Sequence, residues 1–233
     1  MNGTVRLVDS VPESFARLVG DEVAAAADGC RLFLSGGGTA HECYTALAAR
    51  SVAVGLDWSA VDVYLGDERC VPPDDPDSNH RMIRATLLDA VGPVGGDHPM
   101  YTSGSPAAAA DAYQALLEPL PDLGLVHLGL GPDGHTASLF PGSAALDTPA
   151  PARLVVADRD PNGRNPHDRL TLTFSGIARA RRVVVTVAGA GKRDAFARLA
   201  AGADLPGGRV VAPDVLWLVD ADALGDVAAD ESG

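Results

Sequence analysis

Two residues that can move a proton stand close together near the middle of the chain. Asp133 and His135 follow an apolar stretch, residues 123–130, and are set among glycines. An imidazole, with an ordinary pKa of about 6.5, accepts and returns protons near neutrality, and a nearby carboxylate can orient it and support its charged form. The pair indicates general acid–base chemistry, although a structural Asp-x-His fits the residues alone equally well.

A second group has the composition of an oxyanion-binding loop. Ser35, Gly36, Gly37, Gly38 and Thr39 stand between a predicted strand and the start of a predicted helix. Glycines let backbone N–H groups converge on an anion, the two hydroxyls add donors, and the helix dipole places positive charge at the same point. We expect a phosphate here, the alternative being a tight turn without a ligand. The run lacks the Gly-Lys-Ser/Thr ending of a nucleoside triphosphate loop.

Further charged residues stand at predicted strand and helix ends. Asp67, Glu68 and Arg69 follow a short apolar strand, where they would form the rim of a site or, taken alone, a surface ion network. Arg169 opens another strand. Lys192 stands at a helix start, where the helix dipole disfavours a cation unless an anion is bound, the alternative being a solvated lysine. The net charge of −13 means that an anionic ligand needs such local positive charge.

Strand-like and helix-like patterns alternate along the chain and predict how these residues are positioned. The predicted strands cover residues 31–34, 61–65, 123–130, 154–157, 170–173, 183–188 and 215–219. The predicted helices cover residues 11–27, 39–49, 79–88, 106–117, 175–180 and 192–200. Such alternation is typical of an α/β fold with a mostly parallel sheet flanked by helices, in which ligands bind at the carboxyl ends of the strands. We expect residues 1–224 to form one domain and residues 225–233 a frayed tail.

Composition excludes several classes of function. At 233 residues and 46% hydrophobic, the chain can bury a large core, and its negative charge opposes nonspecific binding to nucleic acid or anionic lipid. No apolar stretch reaches the ~18 residues of a membrane span. The three cysteines, Cys30, Cys43 and Cys70, are odd in number and lack CxxC spacing, so we expect neither a disulfide framework nor a zinc site. We therefore expect the protein to work in the reducing cytoplasm.

Two apparent motifs are set aside. Residues 129–134 match the dinucleotide-binding pattern of glycines, but Pro132 and the helix-breaking residues 140–142 exclude the long helix that should follow. The acidic residues near position 75 resemble the start of a calcium loop, but His80 replaces the required glycine and Thr86 the bidentate glutamate.

Four sequence blocks, taken together and in order, resemble the 6-phosphogluconolactonases of the glucosamine-6-phosphate isomerase/6-phosphogluconolactonase family. The blocks are residues 34–39, 67–72 with 78–79, 131–141, and 169–173 leading to 189–192. The resemblance extends from about residue 5 to residue 219, and the third block is its most specific part. It implies a modified Rossmann-like fold and hydrolysis of 6-phospho-D-glucono-1,5-lactone to 6-phospho-D-gluconate in the oxidative pentose phosphate pathway.

The resemblance also implies a role for each candidate residue. His135 would be the general base on water, and Asp133 would orient it or touch the sugar. Ser35 to Thr39, Arg169 and Lys192 would hold the 6-phosphate. Asp67, Glu68 and Arg69 would contact the sugar or the oxyanion. No metal or organic cofactor is implied, and the partner is a phosphorylated sugar lactone rather than nucleic acid or membrane, with a monomer favoured.

Two alternatives stay open. A glucosamine-6-phosphate deaminase would resemble the chain in its Asp-Gly-His segment, but residues 138–141 lack the glutamate expected of that enzyme. A non-catalytic sugar-phosphate sensor would share the fold without the chemistry, although Asp133 and His135 are both present and no helix-turn-helix pattern or basic arm is evident.

Overall fold

The computed structural model describes residues 1–26, 29–147 and 153–225. Their strands are β1 (Thr4–Leu7), β2 (Cys30–Leu34), β3 (Val61–Leu65), β4 (Asp67–Arg69), β5 (Gly96–His98), β6 (Leu125–Gly129), β7 (Val155–Asp158), β8 (Arg169–Leu172), β9 (Arg182–Val187) and β10 (Asp214–Val219). Their α-helices are α1 (Val11–Ala25), α2 (Gly38–Val54), α3 (Asn79–Ile83), α4 (Asp89–Val91), α5 (Pro106–Leu117), α6 (Phe174–Ile177), α7 (Arg193–Ala200) and α8 (Ala221–Leu224). A π-helical turn, Arg84–Leu88, joins α3 to α4.

Seven of the described strands form a parallel sheet in the order β1-β10-β9-β6-β2-β3-β5. The expected α/β class, with a mostly parallel sheet flanked by helices, is therefore confirmed. The central strands β6 and β9 are buried along almost their whole length, as expected where helices cover both faces of a sheet. They consist mainly of Leu and Val, which pack well on a pleated surface.

The connections of this sheet create a crevice at its centre. From β2 the chain passes to β3 and β5 on one side, whereas from β6 it returns to β9 and β10 on the other. Since β2 and β6 are neighbours, the order of strands reverses between them. Ligands of open α/β sheets bind at such a reversal, outside the carboxyl ends of the strands. The glycine loop follows β2 and the Asp-His segment follows β6, so both flank the crevice.

A second, antiparallel sheet lies beside the first and was not predicted. It has the order β4-β8-β7, and the backbone of Gly66 accepts a hydrogen bond from Leu172, so this sheet continues directly from the end of β3. The predicted strands at 154–157 and 170–173 exist, but they belong to this sheet. Its pairing sets Arg69 opposite Arg169, which brings two candidate residues together.

Two short strands were also missed, and one predicted segment falls outside the described residues. β1 is an exposed edge strand, and β5 lies within a stretch rich in Gly and Pro. The predicted tail, residues 225–233, lies outside the described residues except for Gly225, which ends α8. Ala27, the predicted end of α1, is likewise outside them. Among the described residues, no helix is both long and apolar enough to cross a bilayer.

Candidate active site

A pocket opens at the carboxyl ends of β2, β6 and β9 and is closed on one side by the antiparallel sheet. It brings together most of the residues that the sequence pointed to. Its lining includes Ser35, Gly36, Gly37, Gly38, Thr39, Asp67, Arg69, Asn79, Gly131, His135, Ser138, Phe140, Asn165, Arg169, Thr186 and Lys192. Two candidates do not line the pocket: Asp133, which is hydrogen-bonded to His135, and Glu68.

The Asp133 carboxylate fixes the orientation of the His135 ring. Asp133 Oδ1 lies 2.6 Å from His135 Nδ1 and also accepts the backbone N–H of His135 at 3.1 Å. A carboxylate only accepts, so Nδ1 carries the ring proton. No described residue hydrogen-bonds to Nε2, which is left with its lone pair beside the pocket. The imidazole therefore has the tautomer that a general base requires.

Glycine is required where the ring packs on the loop. A Cβ built on Gly131 would stand 2.1 Å from His135 Nδ1 and 2.2 Å from its Cε1, closer than any real contact. Gly134 has a φ of 88°, in the left-handed region that favours glycine. On its other side the ring meets Phe140, with centroids 5.1 Å apart. The segment thus holds the imidazole between a bare backbone and an aromatic face.

The charge of Asp133 is stabilised in place. Burial alone would raise the pKa of this carboxyl, but the hydrogen bonds and charge of His135 hold it below its ordinary value. The second carboxylate oxygen faces Arg164, whose Nη1 is 3.5 Å away on an otherwise exposed side chain. Asp133 is consequently ionised at neutral pH and can stabilise an imidazolium at position 135.

The N-terminus of α2 forms the anion-binding end of the pocket. Gly37, with a φ of 104°, precedes the helix and has no side chain that could cap it. The first intrahelical bond runs from His41 N–H to the Gly37 carbonyl at 2.9 Å, so the N–H groups of residues 38–40 precede the helical ladder. These free donors and the helix dipole favour a bound oxyanion at this point.

Three cations, Arg69, Arg169 and Lys192, line the same pocket as this helix end. Arg169 is 4% exposed, burial lowers its pKa, and the neighbouring charge of Arg69 lowers it further. Its Nε is buried with no hydrogen-bond partner among the described residues. Burial also lowers the pKa of Lys192, although Asp133 opposes the shift. Two like-charged guanidinium groups and a half-buried ammonium form a site that a bound anion would stabilise.

Arg69 lies beside the glycine loop, whereas the resemblance implied a contact to the sugar or the oxyanion. Its Nη1 donates to Asn79 Oδ1 at 2.6 Å and to the carbonyl of Asp77 at 2.8 Å. The Asn79 side chain in turn packs against Gly36, where an added Cβ would stand 1.8 Å from the amide oxygen. This contact places the guanidinium at the anion end of the pocket.

Two expected ligand contacts differ from the structure. The Ser35 hydroxyl donates to the carbonyl of His127 at 2.8 Å, so its proton is directed into the sheet and away from a phosphate. Glu68 is 1% exposed and accepts hydrogen bonds from the backbone N–H groups of Arg69, Asn79 and His80 and from the Ser78 hydroxyl. It caps the start of α3, and burial raises its pKa in spite of these donors. We correct the role of Glu68 from a substrate contact to a structural one.

Asp67 faces the pocket and is fixed by the Asp-His segment. Its Oδ2 accepts the Ser138 hydroxyl at 2.8 Å, and Ser138 N–H donates to Thr171 Oγ1 at 3.2 Å. These bonds join the loop after β6 to both β4 and β8. Asp67 is thereby held among the lining residues, where it can accept from a sugar hydroxyl.

Several lining residues were missed as site residues. Asn79 belongs to the second sequence block but was not predicted to contact a ligand, and neither Asn165 nor Thr186 was predicted as a site residue. Asn165 is held by Asp160 at 2.8 Å and accepts from Arg169 Nη2 at 3.2 Å. A polar residue inside an apolar strand was the available signal for Thr186. Nothing local distinguishes Asn165, because its position depends on long-range contacts.

Comparison with known proteins gives consistent matches. The family model for glucosamine-6-phosphate isomerases/6-phosphogluconolactonase matches residues 4–217. The chain is 41% identical over 227 residues to the 6-phosphogluconolactonase of Mycobacterium tuberculosis, covering 89% of this chain and 90% of that protein. It is 39% identical over 205 residues to the Nostoc sp. 6-phosphogluconolactonase, covering 82% and 81% respectively.

Solved structures agree with the fold. The crystal structure of 6-phosphogluconolactonase from Thermotoga maritima has a TM-score of 0.80 at 27% identity and covers 94% of this chain and 100% of that one. A monomeric glucosamine-6-phosphate deaminase has a TM-score of 0.81 at 21% identity, covering 94% and 98%, which shows a shared fold alone.

Proposed function

The chain belongs to the glucosamine-6-phosphate isomerase/6-phosphogluconolactonase family, and from that membership we propose that it is a 6-phosphogluconolactonase. The reaction is hydrolysis of 6-phospho-D-glucono-1,5-lactone to 6-phospho-D-gluconate, a step of the oxidative pentose phosphate pathway. One observation carries the mechanism: His135 is held by Asp133 with Nε2 open, in a pocket whose other end gathers cations and a helix N-terminus. The names of the two 6-phosphogluconolactonases that the chain matches support the substrate.

In this mechanism His135 acts as the general base. Nε2 takes a proton from water as the water oxygen attacks the lactone carbonyl, and Asp133 stabilises the imidazolium that forms. Collapse of the tetrahedral intermediate breaks the bond from C1 to the ring oxygen, and His135 returns the proton to that oxygen. Such proton transfer typically contributes ~10² to 10⁴-fold to the rate.

The anion end supplies binding energy remote from the reacting carbon. The backbone N–H groups at the start of α2 bind the 6-phosphate together with Arg169, Lys192 and Arg69. Asp67 accepts from a sugar hydroxyl. Binding the distant phosphate positions the carbonyl beside Nε2, which raises the rate without further chemistry at that end. A monomeric state and a cytoplasmic location stay predictions.

The experiment that tests this proposal compares two substrates on the purified protein. We expect accelerated loss of 6-phosphogluconolactone, generated in place, above its spontaneous hydrolysis, and no ammonia release from glucosamine 6-phosphate. Ammonia release without lactone hydrolysis would make the protein a deaminase. Binding of 6-phosphogluconate without turnover of either substrate would favour the sensor.

A further inference from the structure

A buried hydrogen-bonded network lies directly beneath the glycine loop. The hydroxyl of Tyr44, on α2, accepts the backbone N–H of Ser35 at 2.9 Å and lies 2.9 Å from the carbonyl oxygen of the same residue. It is also 2.8 Å from Nδ1 of His127, on β6. His127 Nε2 is 2.9 Å from the hydroxyl of Thr186, on β9. Three elements are thus joined at the residue where the loop begins.

The donor and acceptor capacities of these groups determine where the protons of this network lie. Tyr44 has one proton, and the Ser35 carbonyl can only accept, so the phenol donates there. His127 Nδ1 must then donate to Tyr44, and the Thr186 hydroxyl donates to Nε2. With this assignment each of these contacts has a donor and an acceptor. Burial lowers the pKa of His127 to about 3, so the ring stays neutral over the working range of pH.

Tyr44 clamps both backbone polar groups of Ser35. Without the phenol, the N–H and carbonyl of Ser35 lose a partner in a site where Ser35 is 3% exposed and Tyr44 is fully buried. Buried backbone groups seek other partners when they are left unpaired, and here that requires the loop to move. The next residues along the chain are the glycines that line the pocket and lead into the start of α2.

We propose that Tyr44 and His127 are positioning residues that hold the glycine loop in its anion-binding conformation. The inference deepens the proposed function, because it rests on the phosphate of the substrate being bound at this loop. Neither residue touches the reacting atoms. Tyr44 acts by fixing Ser35, and His127 acts by fixing the Tyr44 hydroxyl. The imidazole of His127 is itself held in place by Thr186 and Phe15. The Phe15 and His127 ring centroids are 4.3 Å apart.

The chain offers a matched control for a loss of the clamp. Tyr113, on α5, makes a similar clamp on Leu65: its hydroxyl accepts the Leu65 N–H at 2.8 Å and donates to the Leu65 carbonyl at 3.3 Å. Tyr113 is 3% exposed and so nearly as buried as Tyr44, but it is not a lining residue of the pocket. Tyr113→Phe therefore removes a comparable buried phenol that makes no hydrogen bond to the glycine loop.

The test measures anion affinity in Tyr44→Phe and Tyr113→Phe. The probe is inorganic phosphate, with its Kd determined by calorimetry, alongside KM and kcat for the lactone and the melting temperature. We expect Tyr44→Phe to raise the phosphate Kd and the KM roughly tenfold, with kcat within about twofold. Tyr113→Phe should lower the melting temperature comparably and leave the phosphate Kd within about twofold of the wild type.

A second variant keeps the test decisive if Tyr44→Phe does not fold. His127→Phe keeps an aromatic ring at this position but removes both nitrogen contacts, and we expect it to raise the phosphate Kd about threefold. The double variant, Tyr44→Phe with His127→Phe, should have a phosphate Kd within about twofold of that of Tyr44→Phe alone, because the two residues act through the same hydroxyl.

Specific outcomes would overturn the proposal. An unchanged phosphate Kd in Tyr44→Phe or His127→Phe, or a loss confined to kcat, would show that the network does not position the loop. A wild-type protein that does not bind phosphate would overturn it as well. A wild type that binds phosphate but does not hydrolyse the lactone would refute the proposed function alone, because the clamp is read from the phosphate Kd.

Discussion

The contact between Gly131 and His135 gives a sharp prediction, because adding one methyl group at that glycine displaces the proposed base without changing any ionisable group. The Cβ of Gly131→Ala would stand 2.1 Å from His135 Nδ1, whereas ordinary contact begins at 3.4 Å, so the ring must move by about 1.3 Å. The backbone of Gly131 does not have a positive φ, so alanine is not strained by its own conformation. The displacement of the ring is therefore the main effect.

The expected loss follows from this displacement. A shift of about 1 Å in a reacting group costs on the order of 10²-fold in rate, which corresponds to about 2.7 kcal/mol in the activation free energy. The 2.6 Å bond from His135 Nδ1 to Asp133 would break at the same time. We expect kcat for lactone hydrolysis to fall at least 10²-fold while KM changes little, because the anion end is untouched.

The assay compares Gly131→Ala with Gly208→Ala in initial rates, corrected for spontaneous hydrolysis. Gly208 lies in the 3₁₀ turn Pro206–Arg209, where an added Cβ would stand 3.0 Å from a terminal methyl of Leu199 and 3.8 Å from the Ala203 carbonyl oxygen, with no contact to His135, so this variant should keep its kcat. A Gly131→Ala protein that is folded and retains kcat within about twofold would refute the reasoning, since the position of the imidazole would then not limit the reaction.

Three further predictions concern charged groups of the site. Burial lowers the pKa of Lys192, so the side chain loses its charge, and binding of 6-phosphogluconate should weaken, as the pH rises through that lowered value. Lys192→Arg should move this weakening to higher pH, because arginine keeps its charge; titration calorimetry across the pH range measures both. Glu68→Gln should lower the free energy of unfolding, measured in urea, by about 2 kcal/mol, because the amide NH₂ would face a buried N–H donor. KM should stay nearly constant, and a large rise in KM without loss of stability would contradict the structural role. Since the pKa of Asp133 is lowered in the fold, its ionised form stabilises the protein above the ordinary pKa, and this contribution is lost as the pH falls from about 4 through the lowered value. The destabilisation by Asp133→Asn should therefore shrink as the pH falls, and a difference from the wild type that is independent of pH would contradict it.

The parallel sheet could be predicted from the sequence because its central strands are continuous apolar runs, which indicate buried strands. The strands after which the Asp-His segment and the glycine loop follow were both identified, and so was the edge of the sheet at which they meet. β4 and β5 are three residues each and all four residues of β1 are exposed, so no periodic pattern marks these strands. The antiparallel sheet was missed because pairing between β4 and β8 depends on contacts far apart in sequence.

The limits at the site have a similar origin. Residue type predicted that Ser35 could donate to an anion, but the direction of its hydroxyl is set by the carbonyl of His127 on a neighbouring strand. Glu68 and Asp67 are adjacent acids, yet the alternation of side chains along β4 sends one under α3 and the other into the pocket. Local sequence identifies the groups available for chemistry, whereas tertiary contacts decide which way each one faces.

The central claim is that His135 is the base, and it is tested most directly by measuring lactone turnover and 6-phosphogluconate binding on one preparation of His135→Ala. The account predicts that turnover falls by ~10² to 10⁴-fold while the Kd for 6-phosphogluconate stays within about twofold of the wild type. Retained turnover would contradict the assignment of the base.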